Sequence, residues 1–427
     1  MNTGKPAPPA MGLRSVAPAD RIESIDALRG FALLGILVVN TLFFALPVGV
    51  GLSTPGSDPA VTPSGDEDWL AWWIVNLLFE YKFMTLFSIL FGVGAAIQFD
   101  RTRRAGRSFS GFFARRMVVL LGFGILHAVL LWYGDVLAIY ACCGLVLLLL
   151  IGLPDRLLIL IASLMLLFTA ITSAGMLALE TSLAGKASVA EEPLRGLDAI
   201  WSSEFNPMSA VWIQAEQLAY GEGPIGDLFA FRITTWLVYL ATVAFSTGWH
   251  VLAMFMVGVV LFRRGFFAAE GARLRRLALL FGLPLGLALE AACTWLTARY
   301  AGETSMHAVW PVVIHEFSVP LVSVGYAALV VWIARTGALC FLMHGLSSVG
   351  RMALTCYILE TVVMTSVFYY YGLGLFGTIE RIHLIPVALG TWGLLAFGSV
   401  AWLNVFRQGP LEWLWRALTY GPSRGRG

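Results

Sequence analysis

Charge is what this chain has least of. Only 13% of its 427 residues are Asp, Glu, Lys or Arg, against roughly a quarter in an average soluble domain. With 58% hydrophobic residues and a mean hydropathy of +0.79, too few polar groups remain to clothe a water-exposed surface. That excludes a soluble enzyme, a disordered chain and a nucleic-acid-binding protein. The net charge of +2 is too small to imply a polyanionic partner. Cysteines are scarce as well. Cys142, Cys143, Cys293, Cys340 and Cys356 lie in or beside apolar runs without C-x-x-C spacing, so neither a disulfide framework nor a zinc site is expected. His307 and His315 likewise lack zinc-ligand spacing, and no metal is expected. Short alternating segments of the β-barrel kind are absent, and no internal repeat suggests the inverted halves of a transporter.

Long apolar runs are what is present. Segments of spanning length fall at 29–48, 77–99, 117–133, 136–153, 156–178, 228–263, 274–297, 308–334, 351–371 and 383–405. Each is judged against the roughly 20 residues needed to cross about 30 Å of hydrocarbon. The expected fold is an all-α, polytopic transmembrane helical bundle of about ten spans. The stretch 228–263 is interrupted by Ser246-Thr247-Gly248 and is read as one span plus an interfacial or re-entrant piece; counting both halves gives about eleven. Residues 1–20 are polar, rich in Pro and Ala, and without the apolar core of a cleavable signal, so they read as a disordered cytoplasmic tail. The membrane domain occupies 21–421, with an extracytoplasmic loop near 180–226, and 422–427 form a second cytoplasmic tail.

Basic residues set the expected orientation. Lys5, Arg14, Arg21 and Arg29 precede the first span. The next loop carries Asp58, Asp66, Glu67 and Asp68 without Lys or Arg, and the one after it carries Arg101, Arg103, Arg104, Arg107, Arg115 and Arg116. The order is inside, outside, inside, and both termini come out cytoplasmic.

Polar residues within spans are the functional candidates, because a charge at mid-bilayer costs about 2.5–3.5 kcal/mol or more. Arg29 and Asn40 are separated by roughly 16 Å along the first helix. Asn40 can hold a substrate carbonyl or an interhelical hydrogen bond; Asp26 and Arg29, one turn apart, read as a local ion pair. Glu80 and Lys82 cannot face each other at a spacing of two, so each needs its own partner. His127 sits in an apolar helix, and Asp135 follows the break at Trp132-Tyr133-Gly134; together they read as a general base with an orienting carboxylate, or as a packed hydrogen-bonded pair. His315 and Glu316 diverge by about 100° and are not a pair. Glu290, Tyr357, Glu360 and Asn404 are further buried polar candidates. The Gly372-x-Gly374-x-x-Gly377 match follows a span rather than a strand and carries no nucleotide-binding meaning.

Several blocks carry a family resemblance. The run from Arg21 through Asp26-Ala-Leu-Arg29-Gly30 to Asn40, Lys82–Gly92, His127 through Gly134-Asp135, Gly350-Arg351 through Tyr357, Tyr371–Gly377 and Gly409-Pro-Leu-Glu412 through Arg416 resemble the YeiB-like family of bacterial inner-membrane proteins. More distantly, the chain is similar to the transmembrane acyltransferase superfamily, which includes the lysosomal heparan-glucosaminide N-acetyltransferase and bacterial O-acyltransferases of surface polysaccharides. The resemblance implies cytoplasmic acyl-CoA as donor and an extracytoplasmic small-molecule or glycan acceptor. The superfamily's motif histidine is missing here, so under an acyl-transfer reading His127, from another helix, would be the base or acyl carrier, Asp135 would orient it and Asn40 would steady the acyl carbonyl. Arg29, Lys82, Arg115 and Arg116 would contact the CoA phosphates, and Glu80, Tyr357 and Glu360 the acceptor. The chain departs from the superfamily pattern in carrying Asn40 where bacterial O-acyltransferases have His, and from the YeiB-like pattern in Cys356 and Glu360. A small-molecule transporter lined by the same polar residues is the alternative; a structural or sensory protein is a third reading.

Overall fold

The computed structural model describes residues 18–55, 65–106, 108–183, 194–301, 307 and 309–420. Most of both expected tails therefore lies outside the described residues. Among the described residues there is no β-strand. The helices are α1 (Pro18–Ala45), α2 (Val48–Leu52), α3 (Asp66–Leu78), α4 (Lys82–Arg104), α5 (Phe109–Leu130), α6 (Leu137–Leu150), α7 (Asp155–Leu183), α8 (Gly196–Ser202) and α9 (Ala210–Gly221). They continue as α10 (Ile225–Phe245), α11 (Thr247–Arg263), α12 (Ala272–Leu277), α13 (Leu283–Arg299), α14 (Val309–Thr336), α15 (Cys340–Arg351), α16 (Ala353–Phe368), α17 (Arg381–Val405) and α18 (Pro410–Tyr420).

Eight helical stretches among the described residues are long and apolar enough to cross a membrane, or nine if α15 and α16, bent by 91°, count as one. The shortfall against the expected ten has a physical origin. Helices α6 and α11 are apolar but only 14 and 17 residues long, below the usual spanning length. The interruption at Ser246 is a true break between α10 and α11. Lipid-facing and central helices separate by burial: 56% of the apolar window of α1 is buried inside the protein, against 22% of that of α7. On α7, Leu160, Leu164 and Ile171 point outward, as an apolar solvent permits. Helix α11 is buried along nearly its whole length.

Small residues allow the central crossings. A Cβ on Gly92 of α4 would overlap the carbonyl of Phe255 in α11, and one on Gly258 of α11 would overlap that of Ile89 in α4. Backbones in reciprocal contact of this kind are how helices associate tightly in lipid. Helices α15 and α18 are different. Both are strongly amphipathic, and α15 packs Leu346 and Gly350 against the backbone of α1.

The 180–226 region is partly helical. Its α9 is fastened to α2 by Glu216, whose Oε2 accepts from the backbone N–H of Val48 at 3.1 Å and from Trp212 Nε1 at 3.2 Å. Complete burial pushes the Glu216 carboxyl up to about 8, because the charged form loses its hydration.

Candidate functional site: two cavities and three histidine–carboxylate pairs

The first cavity, of about 330 Å³, lies between α1, α4, α5, α6, α15, α16 and α18. Its lining is sorted along the helices. Four arginines, Arg29, Arg116, Arg351 and Arg416, stand at one end. Beyond them the walls are apolar, with Leu33, Ile36, Phe87, Phe91 and Leu120 leading to Val136, Tyr140 and Tyr357. From Arg29 to Ile36 the helix rises roughly 10 Å. Arg29 is paired with Asp26 at 3.0 Å, as expected. Arg116 lies over the Trp415 ring at 3.9 Å, a cation–π contact that also anchors α18. Arg351 donates to the Arg407 carbonyl at 3.2 Å. The one carboxylate in the lining, Glu412, is committed elsewhere: it accepts from Leu354 N at 2.7 Å, Thr355 N at 3.0 Å and Thr355 Oγ1 at 2.6 Å. In doing so it caps α16 and ties α18 across the cavity.

The second cavity, of about 290 Å³, is polar. It is lined by Glu80 and Tyr81 ahead of α4, by His250 of α11, by Glu290, Thr294 and Thr297 of α13, and by His315 and Glu316 of α14. Tyr81 adopts a left-handed conformation (φ 59°), which breaks α3 from α4 at the cavity wall. The two cavities thus lie toward opposite ends of α4. A ladder of polar side chains on that helix stands between them at three-residue intervals, each step about 4.5 Å. Lys82 is ion-paired with Glu290 and donates to the Asn76 carbonyl. Thr85 Oγ1 is 2.7 Å from His250 Nε2. Ser88 Oγ is 2.6 Å from the hydroxyl of Tyr140, which faces the first cavity.

Among the described residues, three histidine–carboxylate pairs lie inside the bundle, and they differ in what they leave available. His127 Nδ1 is 3.1 Å from Asp135 Oδ1, and its Nε2 is 2.9 Å from Thr361 Oγ1. Asp135 Oδ2 also accepts from Ala138 N at 2.7 Å. This is possible because Gly124 lets the start of α6 lie against α5; a Cβ there would come within 2.7 Å of Asp135 Oδ2. His250 Nδ1 is 2.6 Å from Glu316 Oε1, with Nε2 taken by Thr85. His315 Nδ1 is 3.1 Å from Glu290 Oε2, and among the described residues its Nε2 has no hydrogen-bond partner. Glu290 also receives a hydrogen bond from Ser318.

The structure brings together His127, Asp135 and Tyr357: the Tyr357 ring centroid is 5.0 Å from that of His127 and its hydroxyl is 3.3 Å from the Gly134 carbonyl. Tyr357 lines the first cavity; His127 and Asp135 are sealed behind it. A proton-accepting role for His127 would require Thr361 to release Nε2. Asn40 is half-buried and makes no hydrogen bond to His127, whose two ring nitrogens are occupied. Lys82 corrects the sequence expectation. Fully buried and neutralised by Glu290, its ammonium is not available to a phosphate. Arg115 is exposed and outside the arginine cavity, whereas Arg29 and Arg116 line it. Glu80 lines the polar cavity, and Glu360 is buried with Oε1 unpartnered among the described residues. His315 and Glu316 do diverge, each toward a different partner. Sequence reasoning missed Arg351, Arg416 and His250. The first two stand in the quoted C-terminal blocks, and His250 follows the break at 246–248.

An all-α bundle with long apolar, outward-facing helices defines a multi-pass membrane protein. Within that class the chain belongs to the YeiB-like family. Residues 261–422 match the family described as "Protein of unknown function (DUF418)". Over 409 residues, 94% of each chain, it is 32% identical to "Uncharacterized protein YxaH" of Bacillus subtilis (strain 168). It is 30% identical to "Uncharacterized protein YeiB" of Escherichia coli (strain K12), covering 94% of this chain and 96% of that one. Similarity to the "Uncharacterized 39.9 kDa protein in amylase 3'region" of Bacillus acidopullulyticus is 25%, over 95% of both chains. No solved structure matches the chain.

Proposed function

We propose that this protein is a transmembrane acyltransferase of the bacterial inner membrane, taking an acyl group from cytoplasmic acyl-CoA to an extracytoplasmic acceptor such as a glycan. The arginine-rimmed, apolar-walled cavity carries the reading. A ligand that fits it has several negative charges at one end and an apolar or weakly polar tail at the other, as an acyl-CoA has. Guanidinium groups suit phosphates because they present several fixed donors and stay charged. In this reading Arg29, Arg116, Arg351 and Arg416 hold the phosphates, and the acyl-bearing arm runs along Ile36, Phe87 and Phe91 toward Tyr140. The arginine end faces the cytoplasm, with both termini on that side, in keeping with the clustering of Lys and Arg.

The test is equilibrium retention of radiolabelled acetyl-CoA by the purified, detergent-solubilised protein. Losing one charge-assisted phosphate contact costs about 1.5–3 kcal/mol, so Arg29→Gln and Arg351→Gln should each weaken binding about 10- to 100-fold. Equal retention by wild type and both variants would defeat the reading. The alternative, transport of a small molecule, draws on the two cavities at opposite ends of α4. It requires uptake into proteoliposomes in the absence of acyl-CoA.

A further inference from the structure

We infer that the polar cavity is the acceptor site and that His315, held by Glu290, is the general base that deprotonates a hydroxyl- or amine-bearing acceptor there. The inference rests on the acyl-transfer reading. Of the three imidazoles paired with carboxylates inside the bundle, those of His127 and His250 have both nitrogens hydrogen-bonded. His315 alone of these presents a ring nitrogen with no partner among the described residues, on a side chain 21% exposed at the cavity wall. A base must offer such a nitrogen within reach of the proton it takes.

Its surroundings orient it for the task. Glu290 bonds Nδ1, which fixes Nε2 as the accepting atom. The carboxylate is itself immobilised by the Lys82 ammonium and the Ser318 hydroxyl, and the Tyr81 ring meets the imidazole edge-on, its centroid 5.3 Å away. Lys82 and Glu290 are thus positioning residues, which accounts for an expensive buried ion pair beside a cavity. Glu80, Thr294 and Thr297 add hydrogen-bonding groups to the same walls, as a polyhydroxylated acceptor would need.

In the step itself, the acceptor O–H or N–H proton passes to His315 Nε2 while the heteroatom's electron pair bonds to the thioester carbonyl carbon. The C–S bond then breaks and its electron pair leaves with sulfur. The imidazolium gives up its proton and the thiolate takes one up, so the products are an ester or amide and a free thiol. For this step the thioester carbonyl must reach the polar cavity beside His315, past the Thr85–Ser88 turn of α4 that lies between the two cavities.

Two measurements test this. Folded protein is treated with diethylpyrocarbonate, which modifies accessible neutral imidazoles, and the histidines are scored by peptide mass spectrometry. Modification of His315, with His127 and His250 spared, is expected; protection of His315 equal to theirs overturns the inference. Thiol release from acetyl-CoA is then followed with glucosamine, which carries both hydroxyl and amine groups. His315→Gln should lower the rate at least about 100-fold while retaining labelled acetyl-CoA as wild type does; an unchanged rate overturns the assignment. If wild type neither binds nor turns over acetyl-CoA, it is the donor reading that fails. The carbethoxylation pattern then still decides whether His315 is an accessible base, and a Gln variant that does not fold leaves that wild-type measurement decisive.

Discussion

Replacing Lys82 by Met should destabilise the protein far more than a surface Lys→Met change, and the loss should be largely recovered by neutralising Glu290. Lys82 and Glu290 have side chains 0% and 1% exposed and are paired with each other. Met matches the Lys stem in bulk, so the change removes the charge and its hydrogen bond to Asn76 with little new cavity. Glu290 is then left as a buried carboxylate supported only by Ser318 and His315. Removing one partner of a buried pair typically costs about 3–5 kcal/mol. Converting Glu290 to Gln in the same chain keeps the side chain's shape and one accepting oxygen and removes the stranded charge, so Lys82→Met/Glu290→Gln should lie within about 1–2 kcal/mol of wild type. The cysteines supply the assay. Cys143, Cys293 and Cys356 are buried, so a thiol-reactive dye reports their exposure on thermal unfolding in detergent. A single variant as stable as wild type, or a double variant no more stable than the single, would refute the reasoning.

Two further outcomes follow from groups outside the spans. The Glu216 carboxyl titrates at about 8 in the folded protein, above its unfolded value of roughly 4.3. The folded state therefore holds a proton that the unfolded state has released, and the stability this contributes is full below about pH 4 and lost as pH rises to 8, by up to a few kcal/mol. Glu216→Gln should flatten the slope of melting temperature between pH 5 and 8 and exceed wild type at the alkaline end; parallel slopes would contradict this. Glu412→Ala should free α18 from the start of α16 by removing three hydrogen bonds. Trypsin cleavage after Arg407 or Arg416 should then accelerate several-fold, and an unchanged rate would mean that the other contacts of α18, such as those of Trp415 with Arg116, hold it without Glu412.

Apolar length and charge placement made the bundle legible. The runs at 29–48, 274–297, 308–334 and 383–405 correspond to α1, the continuous stretch of α12 and α13, α14 and α17, because a helix that must satisfy its backbone in lipid advertises itself as a continuous apolar segment. The break at Ser246 was legible for the same reason. Short helices such as α6 and the 91° bend between α15 and α16 were not, since packing against neighbours rather than composition sets them. The adjacency of His127 and Asp135 could be read locally, across eight residues. The pairings of Lys82 with Glu290 and of His250 with Glu316 could not. Nothing in helical periodicity encodes which distant helix supplies a counter-charge, although the rule that Glu80 and Lys82 cannot face each other did require Lys82 to find one elsewhere. The same limit hid the arginine cavity, whose rim joins residues from α1, α5, α15 and α18.

The most direct measurement is an electron-cryomicroscopy structure of the protein in lipid nanodiscs with a non-hydrolysable acyl-CoA. With an acyl-CoA as donor, the phosphates lie among Arg29, Arg116, Arg351 and Arg416, and the acyl-bearing arm extends past Phe87 toward Tyr140. An arginine cavity left empty at saturating ligand, or phosphates bound elsewhere on the bundle, would contradict that assignment.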